Sequence, residues 1–115
     1  MCRMLAVMSL KPVSQRYLQD FRRLAEEGRV SVGARTLGHR DGWGVVHVDE
    51  APVCLGRRAL EEDGEAEANA ATSKEFDRVC AEVGKGVRGV LLAHLRKASS
   101  GRRVRENTAP FVGGD

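Results

Sequence analysis

Two short apolar runs, residues 4–8 and 89–94, dominate the hydropathy pattern of the chain. Runs of this length, bounded by polar or glycine residues, are typical of buried β-strands. No stretch approaches the roughly 18 consecutive apolar residues that a membrane-spanning helix needs. The first ten residues include Arg3 and lack a small-residue cleavage site, so they do not have the pattern of a signal peptide. We therefore expect a globular fold with no membrane partner.

Two segments have the periodicity of amphipathic helices. Ser14 is the expected N-cap of the first helix, which Gly28 ends. Thr72 and Glu75 fit a capping box for the second, which ends at Gly84 and carries one apolar face. Further strands are predicted at 43–48, 53–56 and 88–95, with a loop at 31–42 and an extended segment at 107–112. The fold class expected from this order is α+β.

Composition sets limits on the class of protein. A chain of 115 residues has the length of one domain, and with 4% aromatic residues its core must be mainly aliphatic. The formal net charge of +3 is too small to indicate nucleic-acid binding by itself. Three cysteines, at wide spacing, predict no disulfide framework and favour a reducing, cytoplasmic location.

The first candidate for chemistry is the thiol of Cys2. Removal of Met1 would leave Cys2 as the first residue, with its own α-amine beside its sulfur. An α-amine titrates near 7.7–8.0, so it can act as a general base at a working pH. This is the self-contained nucleophile and base of amino-terminal hydrolases. The alternative is that Cys2 is only a small apolar residue entering the first strand.

Three further segments have polar or glycine residues where a pocket could form. Residues 39–44 place two glycines around Trp43, which allows a tight turn and a close backbone approach. Taken alone, this segment favours the alternative, a strand-entry turn with a core tryptophan. Residues 93–101 contain His94 and Arg96, two apart and therefore on one face of a strand. An arginine at a strand end can bind a carboxylate through two hydrogen bonds. Residues 107–111 indicate only a turn and a following strand.

Taken together, the four segments resemble the class II glutamine amidotransferases, and most of all their small stand-alone branch. The chain opens Met-Cys-Arg and continues with Asp-Gly-Trp-Gly at 41–44. Ala-His-Leu-Arg-Lys-Ala at 93–98 looks like the family's His-x-Arg-x-Ala block, and Asn-Thr-Ala-Pro-Phe at 107–111 looks like its Asn-Thr-His-Pro-Phe. The order and spacing of the segments agree over the whole chain.

The resemblance implies an activity and a set of residue roles. The activity would be glutamine amide hydrolysis, with possible transfer of ammonia to an acceptor, and without a cofactor or a metal. Cleavage of other γ-glutamyl amides is the alternative within the same fold. Cys2 would be catalytic. The remaining roles are substrate binding by Arg96, Ser99, Asp41, Gly42 and Trp43, and support of the site by His94 and Asn107.

The resemblance also implies an αββα sandwich of two antiparallel sheets, for which this chain would supply the amino-terminal half. The family's oxyanion-hole Asn-Gly pair follows the Pro-Phe block and is not among these 115 residues. Loss of one such donor typically costs on the order of 100- to 1000-fold in rate, so we expect the chain alone to be a weak enzyme. Ala109 stands where the family usually has histidine. The expected partner is a small-molecule substrate, and a homodimer is left open.

Two functions of other classes are the alternatives. The basic stretch 85–105 could bind nucleic acid, but only Phe111 lies near it, so it lacks an aromatic platform for stacking bases. A metal site could use histidines and cysteines, but no C-x-x-C or H-x-x-x-H spacing is present. The sequence therefore favours the amidotransferase interpretation, with no nucleic-acid partner.

Overall fold

The computed structural model describes residues 2–25, 30–32, 35–37, 39–59, 74–97 and 105–113. Within these ranges the regular elements are strands, helices and two short 3-10 turns. In chain order they are β1 (Cys2–Ser9), α1 (Arg16–Arg22) with a 3-10 turn (Arg23–Ala25), β2 (Val30–Val32), β3 (Arg35–Leu37), β4 (Gly42–Val48), β5 (Pro52–Ala59), α2 (Lys74–Gly84), β6 (Gly89–Arg96) and a 3-10 turn (Arg105–Asn107).

Four of the strands form one antiparallel sheet in the order β1-β6-β4-β5, and β2 and β3 form a separate antiparallel pair. The two helices share one hydrophobic core with this sheet. The predicted α+β class with an antiparallel sheet is therefore confirmed. The described residues provide one helical layer and one four-stranded layer, which corresponds to half of the layers in an αββα sandwich.

The two faces of the sheet differ in what covers them. Successive side chains of a strand point to opposite faces, so Leu91, Ala93 and Leu95 of β6 lie on one face, and these three are buried in the core. We call it the helix face. The opposite face carries the even-numbered residues of β1, β4 and β6, including Met4 and His94, and we call it the open face.

Helix α2 packs on the helix face through the residues that its periodicity predicts. Phe76 is fully buried and meets Trp43 of β4 edge-on, with ring centroids 4.9 Å apart and an interplanar angle of 67°. Arg22 at the end of α1 lies over the Phe76 ring, 5.1 Å from its centroid, and its Nη1 donates to Asp77 Oδ1 at 2.5 Å. These contacts tie both helices to each other and to the centre of the sheet.

The prediction that the first strand is buried is wrong. β1 is an edge strand, and on the open face Met4 and Met8 are 81% and 84% exposed. Only its residues on the helix face, such as Leu5 and Val7, are partly buried against the core. The apolar run alone cannot distinguish a strand covered on both faces from an edge strand covered on one.

Several predicted boundaries also differ from the structure. The predicted loop 31–42 contains β2, β3 and the start of β4, and β5 extends beyond the predicted 53–56 in both directions. The predicted extended segment 107–112 is not a strand, because Asn107 ends a 3-10 turn and the following residues have no regular structure. Helix α1 begins at Arg16 with Gln15, and not the predicted Ser14, as its N-cap, although the Arg16 N–H donates to Ser14 Oγ at 3.3 Å. The predicted Gly28 stop and Thr72 cap lie outside the described residues.

Residues 108–110 cross the open face above β4. A Cβ atom on Gly42 would lie 2.9 Å from the Oγ1 atom of Thr108, which is fully buried, and a Cβ on Gly44 would overlap the carbonyl oxygen of Ala109. Arg57 of β5 donates to the carbonyl of Pro110, and the Ala109–Pro110 peptide bond is cis. The two glycines of β4 are therefore required by the close approach of this segment to the sheet.

We expect Gly44→Ala to lower the free energy of unfolding by about 1–3 kcal/mol, because the added methyl group forces apart two backbone segments. Gly113→Ala is the control, since a Cβ there meets nothing within 4 Å. Urea denaturation of both variants measures the difference. Equal stabilities would contradict the close packing of residues 108–110 on β4.

Candidate functional site

The cross-strand register brings Cys2, Arg96 and Gly42 together. Cys2 of β1 is the pairing partner of Arg96 of β6, and Arg96 is in turn the partner of Gly42 of β4. Directly opposed residues have Cβ atoms about 4.5–5.5 Å apart and point to the same face. Cys2 is exposed, whereas Arg96 is 7% exposed. An accessible thiol and a buried guanidinium group thus belong to one row of the open face.

Asp41 lies beside this row, at the entry to β4. Its backbone N–H donates to the carbonyl oxygen of Arg96 at 2.9 Å, and its carboxylate is nearly buried. The Lys97 ammonium group lies 3.8 Å from Asp41 Oδ2. The motif analysis did not single out Lys97. Only its position directly after Arg96 could have drawn attention to it, because the distance to Asp41 depends on the β4–β6 pairing.

His94 occupies the next row of the open face, between Met4 of β1 and Gly44 of β4. His94 is 8% exposed, and its buried Nδ1 atom has no hydrogen-bond partner among the residues that the structure describes. Burial lowers the pKa of His94. Electrostatic repulsion by Arg96, and after it by His39 and the amino terminus, lowers this pKa further. The side chain is therefore uncharged near neutral pH and can support a site without adding charge to it.

Trp43 lies on the helix face of the sheet, and Cys2 belongs to the other, open face. It is fully buried and contacts Phe76 in the core. Successive side chains of β4 point to opposite faces, so the residues of the Asp-Gly-Trp-Gly segment have different roles. Gly42 and Gly44 lie on the open face, and Trp43 packs against the helices on the other. This placement favours a core role for Trp43 over direct contact with a substrate.

The remaining predicted site residues lie farther along the chain. Ser99 falls outside the described residues. Asn107 is exposed at the end of the second 3-10 turn, next to Thr108, which is fully buried against Gly42. Sequence reasoning missed Thr108 as a packing residue, because its contact with β4 is made across more than 60 residues of chain.

The structure also bears on the other classes of site. In the parts of the chain that the structure describes, no group of three or more histidine, cysteine, aspartate or glutamate residues could hold a metal ion. No helix among these residues is long and apolar enough to cross a membrane. Within the basic stretch, Arg96 is buried and Lys85 pairs with Glu82 at 3.1 Å. Of these two residues, Arg96 therefore belongs to the buried candidate site and Lys85 to a paired position on the surface.

Fold and site together define an α+β protein with an accessible thiol at the start of an edge strand and a buried arginine opposite it. A family model described as "Glutamine amidotransferases class-II" matches residues 1–113. The chain belongs to this family, as its motifs predict. No curated protein and no solved structure gives a significant match. Family membership indicates a general amidotransferase or amide-hydrolysing function.

We expect His94 to make stability depend on pH. Its folded-state pKa is lowered, so below about pH 6.5, the ordinary histidine value, the unfolded chain takes up a proton more readily than the folded one. The free energy of unfolding should therefore fall as the pH drops from 7.5 towards 5, and His94→Gln should reduce that fall. The control is His47→Gln at a half-exposed site. An unchanged pH dependence in His94→Gln, measured by urea denaturation, would contradict the assignment.

Proposed function

We propose that the protein hydrolyses the side-chain amide of glutamine, or of a related γ-glutamyl amide, with Cys2 as the nucleophile. The observation that carries the proposal is the pairing of Cys2 with Arg96 on the open face. Glutamine has an amide to cleave and an α-carboxylate to bind at the other end. A thiol and a guanidinium group on neighbouring strands match these two requirements. Family membership supports the same chemistry.

In this proposal, removal of Met1 frees the α-amine of Cys2. The amine accepts the thiol proton, and the sulfur attacks the carbonyl carbon of the γ-carboxamide to give a tetrahedral oxyanion. The carbon–nitrogen bond then breaks, the protonated amine returns its proton to the departing nitrogen, and ammonia leaves. Water attacks the resulting γ-glutamyl thioester, which releases glutamate and restores the thiol. Any acceptor would take the ammonia in place of solvent.

Arg96 binds the α-carboxylate of the substrate in this scheme. The guanidinium group is a planar donor that can make two parallel hydrogen bonds to a carboxylate. Because Arg96 is 7% exposed, its charge is screened less by solvent than that of a surface arginine. Asp41 and Gly42 lie beside it at the start of β4, and the motif adds the Ser99 hydroxyl as a further binding group.

Cys2→Ser in the full-length protein should lower glutaminase activity by roughly 1000-fold or more, because a hydroxyl is a far weaker nucleophile at neutral pH. Cys54→Ser is the matched control, since Cys54 is also an exposed thiol. Ammonia release from glutamine measures both. Mass spectrometry of the active species should show that Met1 has been removed. Equal losses in the two variants would indicate a structural role and exclude Cys2 as the nucleophile.

Arg96→Lys should raise KM for glutamine roughly 10- to 100-fold with a smaller fall in kcat, because hydrogen bonds to charged groups contribute about 1.5–3 kcal/mol and this contact exists before and during the reaction. Steady-state kinetics on glutamine and on glutamine amidated at its α-carboxyl test the role directly. The wild-type protein should strongly prefer glutamine. If it uses both substrates equally well, Arg96 does not bind the carboxylate.

The same assay identifies the substrate within the class. Other γ-glutamyl amides retain the α-carboxylate and differ only beyond the scissile nitrogen. A higher kcat/KM for one of them than for glutamine would make γ-glutamyl amide hydrolysis the preferred assignment. The roles of Cys2 and Arg96 would remain as proposed.

A further inference from the structure

The carboxylate of Asp41 and the ammonium group of Lys97 form an ion pair at the end of β6. The Lys97 Nζ atom lies 3.8 Å from Asp41 Oδ2, and the two side chains are 23% and 7% exposed. An ion pair that is largely withdrawn from water is weakly screened, and removal of one partner leaves a costly buried charge. The pair is therefore more than a surface contact between mobile side chains.

Asp41 also contacts the backbone of the residue before Lys97. Its N–H donates to the carbonyl oxygen of Arg96 at 2.9 Å, while its side chain faces the ammonium group of Lys97. Arg96 is the last residue of β6, where the regular strand ends. Asp41 thus restrains the chain at Arg96 itself and at the residue that follows.

We propose that the Asp41–Lys97 pair is a positioning pair that determines substrate specificity by holding Arg96 in the orientation that a substrate carboxylate requires. This inference rests on the proposed function of Arg96. Lys97 does not touch the substrate in this scheme. It fixes Asp41, and the Asp41 N–H fixes the Arg96 backbone. Asp41 then acts as a positioning residue, a narrower role than that of a binding group.

Bidentate binding depends on geometry, which makes the pair testable. A guanidinium group makes two parallel hydrogen bonds only when its plane is aligned with the carboxylate. A small misplacement of a group that positions substrate can already cost up to about 100-fold in rate. Loss of the ion pair should therefore weaken carboxylate recognition and leave the thiol chemistry intact.

The test uses the full-length protein with Met1 removed and compares glutamine with glutamine amidated at its α-carboxyl. Lys97→Met keeps the aliphatic stem and removes the charge. We expect the preference for glutamine to fall on the order of tenfold through KM, with kcat within about twofold of wild type. Lys97→Arg should restore the preference. Lys85→Met is the control for the loss of a lysine charge, because Lys85 directly follows α2 and pairs with Glu82 at an exposed position away from the end of β6.

Two further variants complete the design. Lys97→Met should cause no additional loss of preference in an Arg96→Lys background, because the pair acts only through Arg96. Asp41→Asn/Lys97→Met removes both charges of the pair, so neither partner is left as a lone charge, and it should show the same reduced preference. The double variant provides the measurement if Lys97→Met alone does not fold.

The outcomes separate the two proposals. If the wild-type protein does not distinguish glutamine from its α-amide, the carboxylate role of Arg96 fails, and the positioning role fails with it. If the wild type distinguishes them and the pair variants retain the full preference, only the positioning role is overturned. Equal losses on both substrates would likewise overturn it, since they would indicate a general structural effect.

Discussion

The pairing of β1 with β6 is the interaction on which the candidate site depends. Among the described strands Cys2 of β1 has β6 as its neighbour, so the register of this pair decides what the thiol faces. A slip of one residue would turn every side chain of β1 to the other face of the sheet. The thiol would then point towards the helices, and Arg3 would take its place beside the open face.

Register is specified because the two faces require different residues. Leu5 and Val7 of β1 pack against the core, while Met4 and Met8 on the open face are exposed. A slip of one residue would turn the partly buried Leu5 and Val7 out of the core and towards the open face. Apolar burial contributes about 25 cal/mol per Å², so even partial burial of two such side chains favours the observed pairing. The position of the nucleophile candidate is therefore set by core packing on the opposite face.

The sequence pattern predicted a helix or strand well where only one of its faces is covered, because the apolar residues then recur with a clear period. Helix α2 buries Phe76, Val79, Cys80 and Val83, and β4 and β6 lie close to their expected bounds. The edge position of β1 could not be predicted, because it depends on which strands meet across long stretches of chain. The β2–β3 pair is local, but its three-residue strands are too short to show a period of two in the sequence. The motifs singled out Cys2, Arg96 and Asp41 as candidates, which the sheet brings to one end, but they could not assign Trp43 to the helix face. The contact between Lys97 and Asp41 exists only once β4 and β6 are paired.

Strand β6 contributes both to the stability of the fold and to the candidate site, because it is an inner strand of the sheet and its two faces have different surroundings. Its odd-numbered residues Leu91, Ala93 and Leu95 are in the core, and its even-numbered residues His94 and Arg96 lie on the open face. Substitutions at the odd positions leave cavities in a close-packed core and act on the free energy of unfolding. Substitutions of Arg96, at the end of the even-numbered set, should mainly change the geometry of the candidate site. Effects on folding and effects on substrate recognition should therefore be separable by position along this one strand.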